Sequence, residues 1–143
     1  MNIKVFLEDG AKMPTRAHST DAGLDIYTPK AVIAYPRSAI TVDTGLHIEI
    51  PKGYVGFLKS KSGLNVRNNI TGDGVIDAGY TGSIVVKLYN NGDDMHLFAA
   101  GDKLIQLVLL PIVTPDITEV GSINELYGEN TERGDTGFGA SGR

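Results

Sequence analysis

The chain has no cysteine, which excludes disulfides and thiolate metal sites. It has no basic run, and its formal net charge is −4. Non-specific nucleic-acid binding needs a dense positive face and is not expected. An anionic ligand would have to be held by local donors instead of by the overall field. His18, His47 and His96 are far apart and form no metal-ligand spacing. No run of 18 apolar residues is present, so no membrane-spanning helix is expected. The first ten residues lack the apolar stretch of a signal peptide, and the expected location is cytoplasmic. There is no tryptophan, so one introduced at Phe138 would be a lone reporter.

What the chain does have is alternation. Ile40, Val42, Thr44, Leu46, Ile48 and Ile50 occupy the even positions of one segment, with Thr41, Asp43, Gly45, His47 and Glu49 between them. That pattern predicts strand with one face in a core. Ile84, Val86 and Leu88 repeat it, and Ile3, Val5 and Leu7 suggest a first strand. Residues 31–34 suggest another short one. Residues 104–113 differ: they form an almost unbroken apolar run, which predicts a strand covered on both sides, the second cover coming from another subunit. Only residues 62–69 could hold a helix. A chain of 143 residues suits one domain that buries roughly 68–70% of its unfolded surface. The expectation is an all-β, jelly-roll-like domain over residues 1–121, with one short helix and a mobile C-terminal arm over residues 122–143.

Five polar, glycine-bearing clusters interrupt the strands. Asp21-Ala22-Gly23-Leu24-Asp25 puts two carboxylates four apart, on one face if both lie on a strand. Ser60-Lys61-Ser62-Gly63-Leu64 would open the helix at Ser62, either as a plain N-cap or as a phosphate site made of hydroxyl and N–H donors. Gly74-Val75-Ile76-Asp77-Ala78-Gly79-Tyr80-Thr81-Gly82 reads as a tight β-hairpin, with Asp77 and Tyr80 across its bend. They are a turn aspartate and a packing tyrosine, or functional groups. In Gly101-Asp102-Lys103-Leu104-Ile105-Gln106-Leu107, Gln106 is the only polar residue of the apolar run. It is a core amide bonded to backbone, or a ligand contact. The last eleven residues place four glycines, Phe138 and two arginines where no core can form. They are a frayed tail, or a flap that orders over a ligand carrying phosphate and a ring. The flap lacks the Gly-Lys-Ser/Thr ending of a Walker A loop.

In this order and spacing, the five clusters resemble the five motifs of the trimeric dUTP diphosphatases (dUTPases), over nearly the whole chain. The resemblance implies hydrolysis of dUTP to dUMP and pyrophosphate, with Mg²⁺, in a homotrimer whose sites gather motifs from three chains. It implies that Asp77 is the general base for a water attacking the α-phosphorus. It implies uracil recognition near Gly74, Val75 and Ile76, a further main-chain contact at Val85, and Tyr80 under the sugar, where it excludes a 2′-hydroxyl. Lys61, Ser62, Gly63 and Gln106 would hold phosphates. Lys61 stands where the family usually has arginine and lacks the bidentate fork. Asp25 would act on the metal through water only. Arg133 would reach the γ-phosphate, Phe138 would stack on uracil, and Gly139, Ala140 and Ser141 would offer donors; Ala140 lacks the hydroxyl of the serine common there. A dCTP deaminase, which resembles the same fold, would need a catalytic glutamate and an arginine-rich second motif. A catalytically idle binding trimer is the rival from another class; intact Asp77, Ser62, Gln106 and Phe138 argue against it.

Overall fold

The computed structural model describes residues 1–137. The chain divides into two compact units, Met1–Val113 and Thr114–Arg143. The first holds eleven strands: β1 (Val5–Leu7), β2 (Gly23–Tyr27), β3 (Val32–Ala34), β4 (Ser38–Asp43), β5 (Leu46–Ile48), β6 (Tyr54–Lys59), β7 (Ile70–Thr71), β8 (Asp73–Ile76), β9 (Val85–Asn90), β10 (His96–Phe98) and β11 (Lys103–Pro111). Its helix α1 (Ser62–Asn68) lies between β6 and β7. The pairing is antiparallel throughout. One sheet has the order β2-β11-β6-β8, a second β4-β9-β7, and the pairs β1-β5 and β3-β10 complete the set. Of the second unit, the described residues hold a 3-10 turn at Ile123–Glu125.

The alternation read along the chain builds the core. Val42, Leu46, Ile48 and Ile50 are buried together with Ile84, Val86 and Leu88. The segment is two strands, not one. Thr44, buried between β4 and β5, donates its hydroxyl to the Ile84 carbonyl at 2.6 Å. That bond satisfies a polar group inside the core, which would otherwise be costly.

The strand β11 runs through the middle of its sheet. One face, with Ile105 and Leu107, is sealed; on the other, Val108 is half-buried and Leu110 is 44% exposed. Within one chain the run is therefore covered on one side only.

Residues 74–82 do not form a hairpin. The strand β8 pairs with β6, and the return limb joins the other sheet through β9. Around Ile84, its N–H donates to Leu46 O at 2.7 Å and its carbonyl accepts from Thr44 N at 3.1 Å, which draws the limb away from β8. The alternation specified the strands but not their partners.

Candidate functional site

Asp25 sits at the centre of β2, directly opposite Gln106 of β11, which in turn faces Lys59 of β6. Asp25 is 6% exposed. Lys61 Nζ donates to its Oδ1 at 2.5 Å and Lys103 Nζ to its Oδ2 at 2.7 Å. Burial pushes the Asp25 carboxyl up, but the hydrogen bonds from Lys103 and Lys61 outweigh it and hold the group below the usual carboxylate range. The same pairing raises Lys103. Two cations on one anion leave this corner net positive, which suits phosphate.

Gln106 completes the corner. Its Nε2 donates to the Ser60 carbonyl at 3.1 Å. Ser60 is itself locked, since its hydroxyl both donates to Gly72 O and accepts from Gly72 N, each at 2.9 Å. A Cβ at Gly23 would lie 2.2 Å from Gln106 Oε1, so the amide occupies space that only glycine leaves free. Lys61 is the N-cap of α1, with no side-chain capping bond. Ser62 is therefore the first helical residue, a correction to the N-cap reading, and Gly63 beside it has open space around it. Lys61, Gly63 and Lys103 line one cleft of about 540 Å³.

Asp21 is not on the strand. β2 starts at Gly23, and Asp21 Oδ2 accepts from His18 N at 3.0 Å to close a turn.

The other candidates lie elsewhere. Val75 and Val85 are exposed on β8 and β9, Gly74 and Ile76 face Leu58 and Gly56 of β6, and Asp77 is exposed just beyond β8. Tyr80 N donates to Asp77 O at 3.2 Å, closing the bend. Tyr80 is 47% exposed and lines a second cleft, of about 400 Å³, with Phe6, His47, Gly79 and Thr81. From β2 to β8 is three strand spacings, about 14 Å, and Asp77 is four residues beyond Asp73, the position level with Asp25, adding roughly 13 Å along the strand. One chain thus brings Asp25, Lys61, Gln106 and Lys103 together but keeps Asp77 and Tyr80 well apart from them. Arg133 lies in the second unit. Phe138, Gly139, Ala140 and Ser141 lie outside the described residues.

The dUTPase family model matches residues 9–142. The chain belongs to the dUTPase family. The deoxyuridine 5'-triphosphate nucleotidohydrolase of Candida albicans is 40% identical over 144 residues, 99% of this chain and 89% of that protein. The enzyme of the same name from Clostridium tetani is 36% identical, over all of this chain and 97% of its own. Among solved structures, the dUTPase of Staphylococcus bacteriophage 80alpha with dUpNHpp matches with a TM-score of 0.86 at 32% identity, covering 99% of both chains. A mutant dUTPase from phage phi11 of S. aureus, with a coordinated structural Mg(II) ion, matches with a TM-score of 0.79 at 31% identity, over 87% of this chain and 99% of that one. The fold is the all-β dUTPase fold, and the chain is a dUTP diphosphatase.

The dUTPase clusters were legible as motifs, but sequence reasoning missed Lys103 as a partner of Asp25. An irregularity between Lys103 and Ile105 brings residue 103 to the Asp25 side despite its odd spacing from Gln106. Among the described residues no three His, Cys, Asp or Glu side chains could hold a metal ion together, and no helix is long and apolar enough to cross a membrane. Both Asp25 oxygens already face ammonium groups, so direct Mg²⁺ ligation fits poorly; their remaining lone pairs fit contact through metal-bound water.

Proposed function

We propose that the chain works as a homotrimer that converts dUTP and water to dUMP and pyrophosphate, with each site assembled from more than one copy. The observation that carries this reading is the separation, in one chain, of the net-positive Asp25 corner from the loop bearing Asp77 and Tyr80. The half-open face of β11 at Val108 and Leu110 offers apolar surface for a partner copy.

In this reading Asp77, ionised at neutral pH, takes a proton from a water whose oxygen bonds to the α-phosphorus. The bond from that phosphorus to the bridging oxygen breaks, and pyrophosphate leaves. Backbone groups near Gly74, Val75, Ile76 and Val85 receive uracil, and Tyr80 closes the space a 2′-hydroxyl would need. Lys61, Ser62, Gly63 and Gln106 hold phosphates. When bound, Mg²⁺ neutralises phosphate charge, and Asp25 orients its waters. Arg133, Phe138, Gly139, Ala140 and Ser141 close the site over the nucleotide, the aromatic ring contributing roughly 1–3 kcal/mol of stacking.

Pyrophosphate release from dUTP, UTP, dTTP and dCTP, measured beside the solution mass, tests the reading. Release from dUTP alone by a species of three chains is expected. Equal release from all four, or full activity in a single chain, contradicts it.

A further inference from the structure

The loop of residues 77–83, which carries Asp77 and Tyr80, lies outside every strand. Side chains tie down its return limb instead. His47 Nδ1 bonds the Thr81 carbonyl at 2.8 Å, and His47 Nε2 bonds Glu8 Oε1 at 2.9 Å. Next to it, Ser83 Oγ donates to Asp43 Oδ1 at 2.5 Å, and Tyr80 Oη donates to the Ser83 carbonyl at 3.0 Å. A Cβ at Gly82 would lie 2.5 Å from Tyr80 Cζ, so the ring lies close over the return limb. Two relays, Glu8–His47–Thr81 and Asp43–Ser83–Tyr80, therefore converge on one short segment. Glu8, Asp43, His47 and Ser83 all fall outside the five clusters.

The relays begin on rigid ground. His47 is in β5, paired with Phe6 of β1, whose ring meets the imidazole edge-on at 5.4 Å. Asp43 ends β4 and also accepts from Gly45 N at 3.2 Å. Both partners of His47 are acceptors. A neutral imidazole has one N–H and serves one of them, whereas an imidazolium serves both. The charged groups around it are Glu8, Asp43, Lys4 and Glu49.

We propose that Glu8, His47, Asp43 and Ser83 are positioning residues that fix Tyr80 against the sugar, and so set how strongly this dUTPase rejects ribonucleotides. The inference rests on the assignment of Tyr80 to the sugar. Rejection by a clash works only while the clashing wall stays in place. Tyr80 is half-exposed and outside the sheets, so without the relays it can swing into solvent and admit a 2′-hydroxyl. Loosening the brace then raises turnover of UTP while sparing dUTP.

The test is kcat and KM for dUTP and UTP in the full chain, for wild type, Tyr80→Ala, His47→Ala, Ser83→Ala and Glu8→Gln, with thermal midpoints alongside. His47→Ala and Ser83→Ala should each lower the dUTP:UTP ratio of kcat/KM about tenfold, about 1.4 kcal/mol at a tenfold change, mainly through a lower KM for UTP. Glu8→Gln should lower it less, because the His47–Thr81 bond survives. If Tyr80→Ala loses discrimination while the other three keep it, the brace is overturned and the sugar assignment stands. If Tyr80→Ala keeps discrimination, the sugar assignment falls and the brace with it. A lower thermal midpoint with an unchanged ratio also overturns the brace. Should His47→Ala fail to fold, Ser83→Ala and Glu8→Gln decide the matter.

Discussion

Asp25 and Asp77 are both carboxylates of the proposed site, yet their settings are opposite. Asp25 is buried on an inner strand with an ammonium group on each oxygen. Asp77 stands in the open, on a loop held by side-chain bonds from other strands. A carboxylate that organises fixed charges belongs in a sheet, where its partners are locked. A carboxylate that must meet water and an arriving nucleotide has to stay accessible. In the proposed reading the first would contribute to both stability and binding, the second to chemistry alone.

Removing each carboxylate sharpens this contrast. Asp77→Asn should lower kcat by about 10²–10⁴ and leave the thermal midpoint unchanged. Near-normal turnover would remove Asp77 from the role of base. Asp25→Ala should act on both scales. It strands two lysines, at a cost of about 1–3 kcal/mol, less than for a fully buried pair because Lys61 and Lys103 are 27% and 42% exposed. Denaturant unfolding and KM for dUTP should move together; a change in KM with unaltered stability would contradict a structural share for Asp25.

A smaller effect is expected from Gly23→Ala. The new methyl displaces Gln106 from the Ser60 carbonyl, costing about 1 kcal/mol and weakening dUTP binding, as calorimetry would register. Unaltered binding would mean that Gln106 needs no fixed amide.

The smallest effects are those of pH. The Thr81 carbonyl and Glu8 hold the His47 pKa above its ordinary 6.5. Its contribution to stability is therefore complete below 6.5 and fades as pH rises through the raised value. Asp25 behaves in reverse: its carboxyl is held below 3.8, so its contribution is present above that value and is lost as pH falls through the lowered one. Thermal midpoints measured across pH should show both slopes. Glu8→Gln should flatten only the upper one, and an unaltered upper slope would remove Glu8 from the pairing.

Much of the fold was legible because period two is a local signal. Val42, Thr44, Leu46, Ile48 and Ile50 are buried as their spacing predicts. Partner choice is not local, which is why residues 74–82 looked like a hairpin while β8 in fact joins β6. The site followed the same rule. Ser62, Asp77, Gln106 and Asp25 sit in recognisable clusters, and only the resemblance to the family singles out Asp25 from Asp21, which lies before the strand. The Lys103–Asp25 bond depends on an irregular step in β11, and the His47–Thr81 bond joins residues 34 apart. Neither leaves a mark on the sequence.

The central claim, a site divided between copies, is tested most directly by mixing two inactive variants. Asp77→Asn and Gln106→Ala chains, unfolded together and refolded at equal concentration, should form trimers in which about one quarter of the sites pair an intact Asp77 with an intact Gln106 from a neighbouring copy. Recovery of about that fraction of wild-type pyrophosphate release is the predicted result. A mixture no more active than its parents would mean that one chain supplies both residues to the same site.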